Sequence, residues 1–225
     1  MGHAPLNADL SAVPVFPLPS VVLLPGAVLP LHIFEDRYRA LVRAALISDR
    51  QIAMALLSPG WQQTYHGRAE IEPVVCVGTI LSHELLSDGK FNLLLQGHTR
   101  ARVKDELPSE ELFRRLSLKA IAEVPADEAA LLGARQKFSQ VFESGFLAGT
   151  KLGQTFAKLL NSPMPTAEVA DLVAFNCLED LAVKQMLLGE PDVAKRVEAV
   201  ARYVTALQMP TAFPTNESYK NPNMN

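Results

Sequence analysis

No stretch of the sequence approaches the ~18 uninterrupted apolar residues of a membrane-spanning helix. The most apolar region, residues 13–33, is broken by five prolines and by Gly26. The N-terminus, MGHAPLNADLSA, has no basic segment ahead of an apolar core, so it does not read as a secretory signal. Gly2 stands where a myristoylated glycine would, but Leu6 occupies the position that wants Ser or Thr. Cysteine is scarce. Cys76 and Cys177 are the two in 225 residues, far apart and each in an apolar segment. They read as buried free thiols in a reducing compartment, with a single disulfide as the open alternative. A strong excess of one charge is also missing. The formal net charge of −3 exerts no global pull toward nucleic acid or an anionic membrane. A cytoplasmic protein with no membrane association is expected.

The motifs of common chemistry are missing as well. There is no G-x-x-x-x-G-K-[ST] phosphate loop; Gly145, Gly149 and Lys151 come near it at the wrong spacing. His83-Glu84 opens an H-E-x-x-H, but Ser87 stands where the second zinc-binding histidine belongs. C-x-x-C, G-x-G-x-x-G and G-x-S-x-G do not occur. No catalytic residue, metal or cofactor is therefore expected.

What is present is an ordinary globular composition, 48% hydrophobic and 20% charged, enough for a real core. Residues 13–47 organise the rest. Apolar runs at 13–16, 21–24 and 28–33 are separated by prolines, which confine them to sheet edges, strand starts or bulges because proline donates no ladder hydrogen bond. Pro25-Gly26 is a turn signal. Tyr38, Leu41, Val42, Ala45 and Leu46 then recur at helical spacing. Strand patterns follow at 51–57 and 73–86, the second carrying Gly78 as a bulge or close-approach point. Ser87-Asp88-Gly89 is a hairpin turn. Strands at 90–96 and 98–104 flank Gly97, and a last one covers 113–124.

The period changes at Pro125–Asp127. Beyond it the stripes are helical, enough for four or five helices, with Thr166 and Asp192 placed to cap two of them. The expected architecture is α+β: a β-rich unit over 13–124, a small twisted sheet or barrel with one helix, then a helical bundle over 127–208. Residues 1–12 and 209–225 read as flexible tails.

Three groups of residues are candidates for a site. His32, Glu35, Arg37 and Tyr38 cluster at the start of the first helix. The structural reading is favoured there: Glu35 caps and pairs, Arg37 ties helix to sheet, and His32 satisfies a backbone group. Trp61, the single tryptophan, and Tyr65 lie in a largely polar loop. They either fold back over the barrel end or present an apolar contact to a partner. Arg100, Arg102, Lys104, Arg114, Arg115 and Lys119 could form a basic sheet face. Acids stand nearby and no aromatics interleave, so nucleic-acid binding is only the alternative.

The succession FPL, VVLLPG, LPLHIFE and RYR at 16–39 resembles the opening of the Lon protease N-terminal domain. The likeness continues in CVGTI at 76–80, in DGKFNLLLQGHTRARV at 88–103 and in LEDLAVKQMLLGEPDVAKRVEAV at 178–200. Asp36 stands where the family often has Pro, and Ala101 where it often has an aromatic. The resemblance implies a PUA-like β-rich subdomain followed by a helical one. It assigns family-motif, structural roles to Pro25, Gly26, His32, Phe34, Glu35, Arg37, Tyr38, Gly78, Gly97 and Arg100. It also implies a stand-alone, non-catalytic protein-binding module without ATPase or peptidase parts. Its partners would be client proteins or peptides with unfolded or apolar segments. Contact with a protease, or self-association, is part of that expectation.

Overall fold

A computed structural model describes residues 9–65 and 67–207. Six strands come first: β1 (Val13–Leu18), β2 (Val28–Ile33), β3 (Gln51–Leu56), β4 (Val74–Leu85), β5 (Phe91–Leu107) and β6 (Arg114–Ala120). Helix α1 (Asp36–Leu46) lies among them. Five α-helices follow: α2 (Glu128–Ser139), α3 (Lys151–Leu160), α4 (Thr166–Cys177), α5 (Leu181–Gly189) and α6 (Val193–Ala206). A short π-helical turn, Gln140–Ser144, extends α2. The fold is α+β.

The sheet order is β2-β5-β4-β3-β1-β6, and β5 also pairs with β6. That extra pairing closes β1, β3, β4, β6 and the far half of β5 into a barrel. Alternation fills it: Val13, Val15, Ala53, Ala55, Val75, Val77, Ala101, Leu116 and Leu118 form the interior. The opposite faces of the same strands are also buried. Phe16, Ile52, Met54, Val74 and Cys76 belong to a larger core shared with α1 and the helical half. Burial on both faces is why β3 reads as an unbroken apolar run from Ile52 to Leu56.

Several expectations change in detail. Residues 21–24 form no ladder strand. Val22, Leu23 and Leu24 are core residues, but the segment crosses the sheet at Gly97 instead of joining it. Gly97 therefore does not divide two strands; β5 runs through it for 17 residues. A Cβ on Gly97 would lie 2.5 Å from the Leu24 carbonyl oxygen and 2.9 Å from Cys76 Sγ. Pro25 and Gly26 are the centre of a turn closed by Ala27 N–H donating to Leu24 O at 3.2 Å, with Gly26 at φ +80. Gly26 N–H donates to Gly97 O, and Gly97 N–H donates to Ala27 O, both at 2.9 Å. Two residues thus oppose one, a glycine bulge that launches β2.

The proximal segment is not a loose tail throughout. Leu10 O accepts from Leu118 N–H at 2.8 Å, Ala12 O accepts from Arg115, and Leu10 packs on the barrel interior. Residues 1–8 and the segment 209–225 lie outside the described residues. The last helix has its cap, the Asp192 side chain accepting from Lys195 N–H. Thr166 instead begins α4 after Pro165 and hydrogen-bonds Glu128. Both cysteines are free thiols. Burial pushes Cys76 up to about 12 and Cys177 up to about 11, so both stay protonated at neutral pH. Among the described residues no helix is long and apolar enough to cross a membrane.

Candidate functional site

The first candidate cluster forms where β2 turns into α1. Glu35 occupies the N-cap position, but its side chain makes no cap hydrogen bond. Its carboxylate is engaged elsewhere, accepting from Arg37 Nε at 3.0 Å and from the Tyr65 hydroxyl at 2.8 Å. Arg37 donates to the Tyr65 carbonyl at 3.2 Å. Its guanidinium lies over the Tyr38 and Tyr65 rings, 4.5 and 4.7 Å from their centroids. Burial, and after it the bonded Glu35 carboxylate, raises the Tyr65 phenol above its ordinary value, which keeps it a proton donor. Arg37 therefore ties α1 to the 61–65 loop, where a tie to the sheet is expected from sequence. Trp61 stands on this anchor, half-buried, its ring edge-on to Tyr65 at 5.4 Å. It belongs to neither apolar core.

His32 is separate from this cluster. Its Nδ1 is 2.7 Å from Asn92 Oδ1, and Asn92 Nδ2 donates to Glu84 Oε2 at 3.3 Å. Since the Asn92 oxygen can only accept, His32 donates from Nδ1. The expectation that His32 satisfies a backbone group is replaced by this side-chain relay. Cross-strand register explains it: His32, Asn92 and Glu84 are direct neighbours on β2, β5 and β4. The next row is Pro30, Leu94 and Ser82. Together with His83 these residues line a groove of about 460 Å³ on the outer face. Its apolar rim is exposed, Val28 at 41% and Leu94 at 40%, and Phe34 just beyond β2 at 59%. Asn92, Glu84 and Leu94 were not among the sequence candidates. The signal was the period-2 pattern of β2, whose Val28, Pro30 and His32 share one face.

The basic residues do not make one face. Arg100 is buried at 5% exposure and donates to Asp171 of α4 at 2.5 Å and to Glu123 at 3.1 Å. Arg114 is paired with Glu106, and Arg115 with Glu111. Arg102, Lys104 and Lys119 are exposed, with Arg102 opposite Lys119 across β5 and β6. A basic sheet face of six residues is thus reduced to three: Glu123 and Asp171 from later segments reach Arg100, while the nearby Glu106 and Glu111 pair Arg114 and Arg115.

These elements define the class of the protein: a small barrel with an edge extension, packed on a helical unit. Two solved structures share it. One is the N-terminal domain of Mycobacterium avium complex Lon protease, with TM-score 0.67 and 17% identity, covering 87% of this chain and 98% of that one. The other is a Lon N-terminal domain protein from Xanthomonas campestris, with TM-score 0.63 and 24% identity, covering 86% and 98%. The sequence profile of the ATP-dependent protease La (LON) substrate-binding domain matches residues 12–206, and the chain belongs to that family. Lon protease 1 of Syntrophobacter fumaroxidans is 28% identical over 83% of this chain. Lon protease of Escherichia coli K12 is 27% identical over 86%. The chain spans 23% and 24% of the length of these two relatives. The matched part is the substrate-binding domain, not the catalytic one.

Proposed function

We propose that the chain is a non-catalytic substrate-recognition module of the cytoplasm, which binds unfolded or exposed apolar segments of client proteins. Delivery of those clients to an ATP-dependent protease is the process it would serve. The observation that carries the reading is the match to the Lon substrate-binding domain over nearly the whole folded region. Exposed apolar side chains around β2 supply a surface of suitable chemistry.

The test is capture of carboxymethylated casein, a permanently unfolded client, compared with a native folded protein. Capture should favour the unfolded client and hold between about 50 and 200 mM salt, since apolar burial is insensitive to screening whereas phosphate neutralisation loses orders of magnitude there. Equal indifference to folded and unfolded protein would remove the proposal.

A further inference from the structure

β2 is an end strand. Among the described residues only β5 pairs with it. The side on which each of its backbone groups lies follows from the bulge at its start. Ala27 O faces β5, because it accepts from Gly97 N–H. N–H and C=O of successive strand residues alternate sides, so Leu29, Leu31 and Ile33 bond to β5 while Val28, Pro30 and His32 present theirs to the open side. Pro30 fits this register: its missing N–H is on the open side, where no ladder bond is lost. The open edge thus offers two donors, Val28 and His32 N–H, and three acceptors, the carbonyls of Val28, Pro30 and His32. Water can serve these exposed groups in the free protein, and an extended backbone can take its place as an added strand.

Resting on the reading of the chain as a recognition module, we infer that β2 is where a client docks, as an added strand. An extended segment of an unfolded protein completes the ladder at Val28, Pro30 and His32. Its alternate side chains then fall beside Val28 and Pro30, above the groove that Leu94 and the His32–Asn92–Glu84 row continue. Apolar residues at every second position are the chemistry that suits this rim. Side-chain identity matters less than extension, which is what a receptor for many unfolded clients requires. A second copy of this chain fits the edge less well. It would bring a second Pro30, so any two-fold register that pairs Pro30 loses two hydrogen bonds, where a proline-free client loses one.

The experiment is amide hydrogen exchange on the full chain, read by NMR with and without carboxymethylated casein. Val28 and His32 amides should exchange fast in the free protein and become protected with casein, while Leu29 and Leu31 are protected in both. A Val28→Pro variant, which removes one open-side donor and no bond to β5, should bind casein about two- to tenfold more weakly, the effect of one backbone hydrogen bond. Casein bound with Val28 and His32 still exchanging freely overturns the edge assignment and leaves the recognition reading standing. No casein binding at all removes both. Protection that grows with protein concentration, without casein, gives the edge to a second copy and overturns the client assignment.

Discussion

Trp61 divides the two roles that a lone aromatic in a polar loop can have. Its ring rests on Tyr65, and Tyr65 is held by Glu35 and Arg37. This is an anchored platform at the surface, not a plug in the barrel. Trp61→Ala should therefore cost about 1 kcal/mol or less, the range of changes outside the core. Leu23→Ala, at a fully buried position, should cost about 3–5 kcal/mol by contrast. Urea titrations followed by circular dichroism compare the two, since the tryptophan signal is gone in one of them. A cost for Trp61→Ala equal to that of Leu23→Ala would restore the plug. The same neighbourhood shows how a residue's chemistry depends on register. His32 and Glu35 are three apart, yet His32 looks across to Asn92 on β5 while Glu35 looks to the 61–65 loop.

Elements with a clean period were legible in the sequence. Helix α1 buries Tyr38, Leu41, Val42 and Ala45, four of the five residues whose spacing announces it. Residues 21–24 were not legible as an unpaired crossing, because β-branched and apolar residues satisfy burial with or without a ladder. Gly97 looked like a break and is a point of close approach, since what presses on it comes from residues 23, 24 and 76. The basic face loses Arg100 for the same reason, since Glu123 and Asp171 come from far along the chain, whereas the local acids Glu106 and Glu111 that take Arg114 and Arg115 are legible in the sequence. The groove is not legible in the sequence because Asn92 and Glu84 are brought beside His32 only by strand register. Two glycine substitutions separate these situations. Gly97→Ala should destabilise by about 1–3 kcal/mol, because its Cβ meets backbone that cannot move cheaply. Gly133→Ala lies in α2 with nothing within 4 Å of the new Cβ and should stabilise by about 0.5–1 kcal/mol. Thermal or urea melts of both variants check the opposite signs.

At the scale of the molecule, the barrel and the helical half share the larger core and one charge network, buried except at Glu123. Val124 marks the passage between them, and it is tied back to the start of α6: its N–H donates to Pro191 O and its carbonyl accepts from Val193 N–H. Beside it, Arg100 of β5 and Arg196 of α6 both meet Asp171 of α4 and Glu123. Burial works against the charge of Arg100, but Asp171 and then Glu123 outweigh it and raise its pKa, so the guanidinium stays charged. Two buried arginines against two acids is a balanced set, and each member is needed to keep the others neutralised. Removing Asp171 leaves both arginines with Glu123 alone. Asp171→Asn should accordingly cost about 3–5 kcal/mol, the penalty for an uncompensated buried charge. The cost should fall on both halves at once. Trp61 emission reports the barrel side and helical circular dichroism reports the other, so in parent and variant the two unfolding curves should coincide and shift together. Separate midpoints, with only the helical signal displaced, would mean that the network stabilises the bundle alone and that the barrel stands without it.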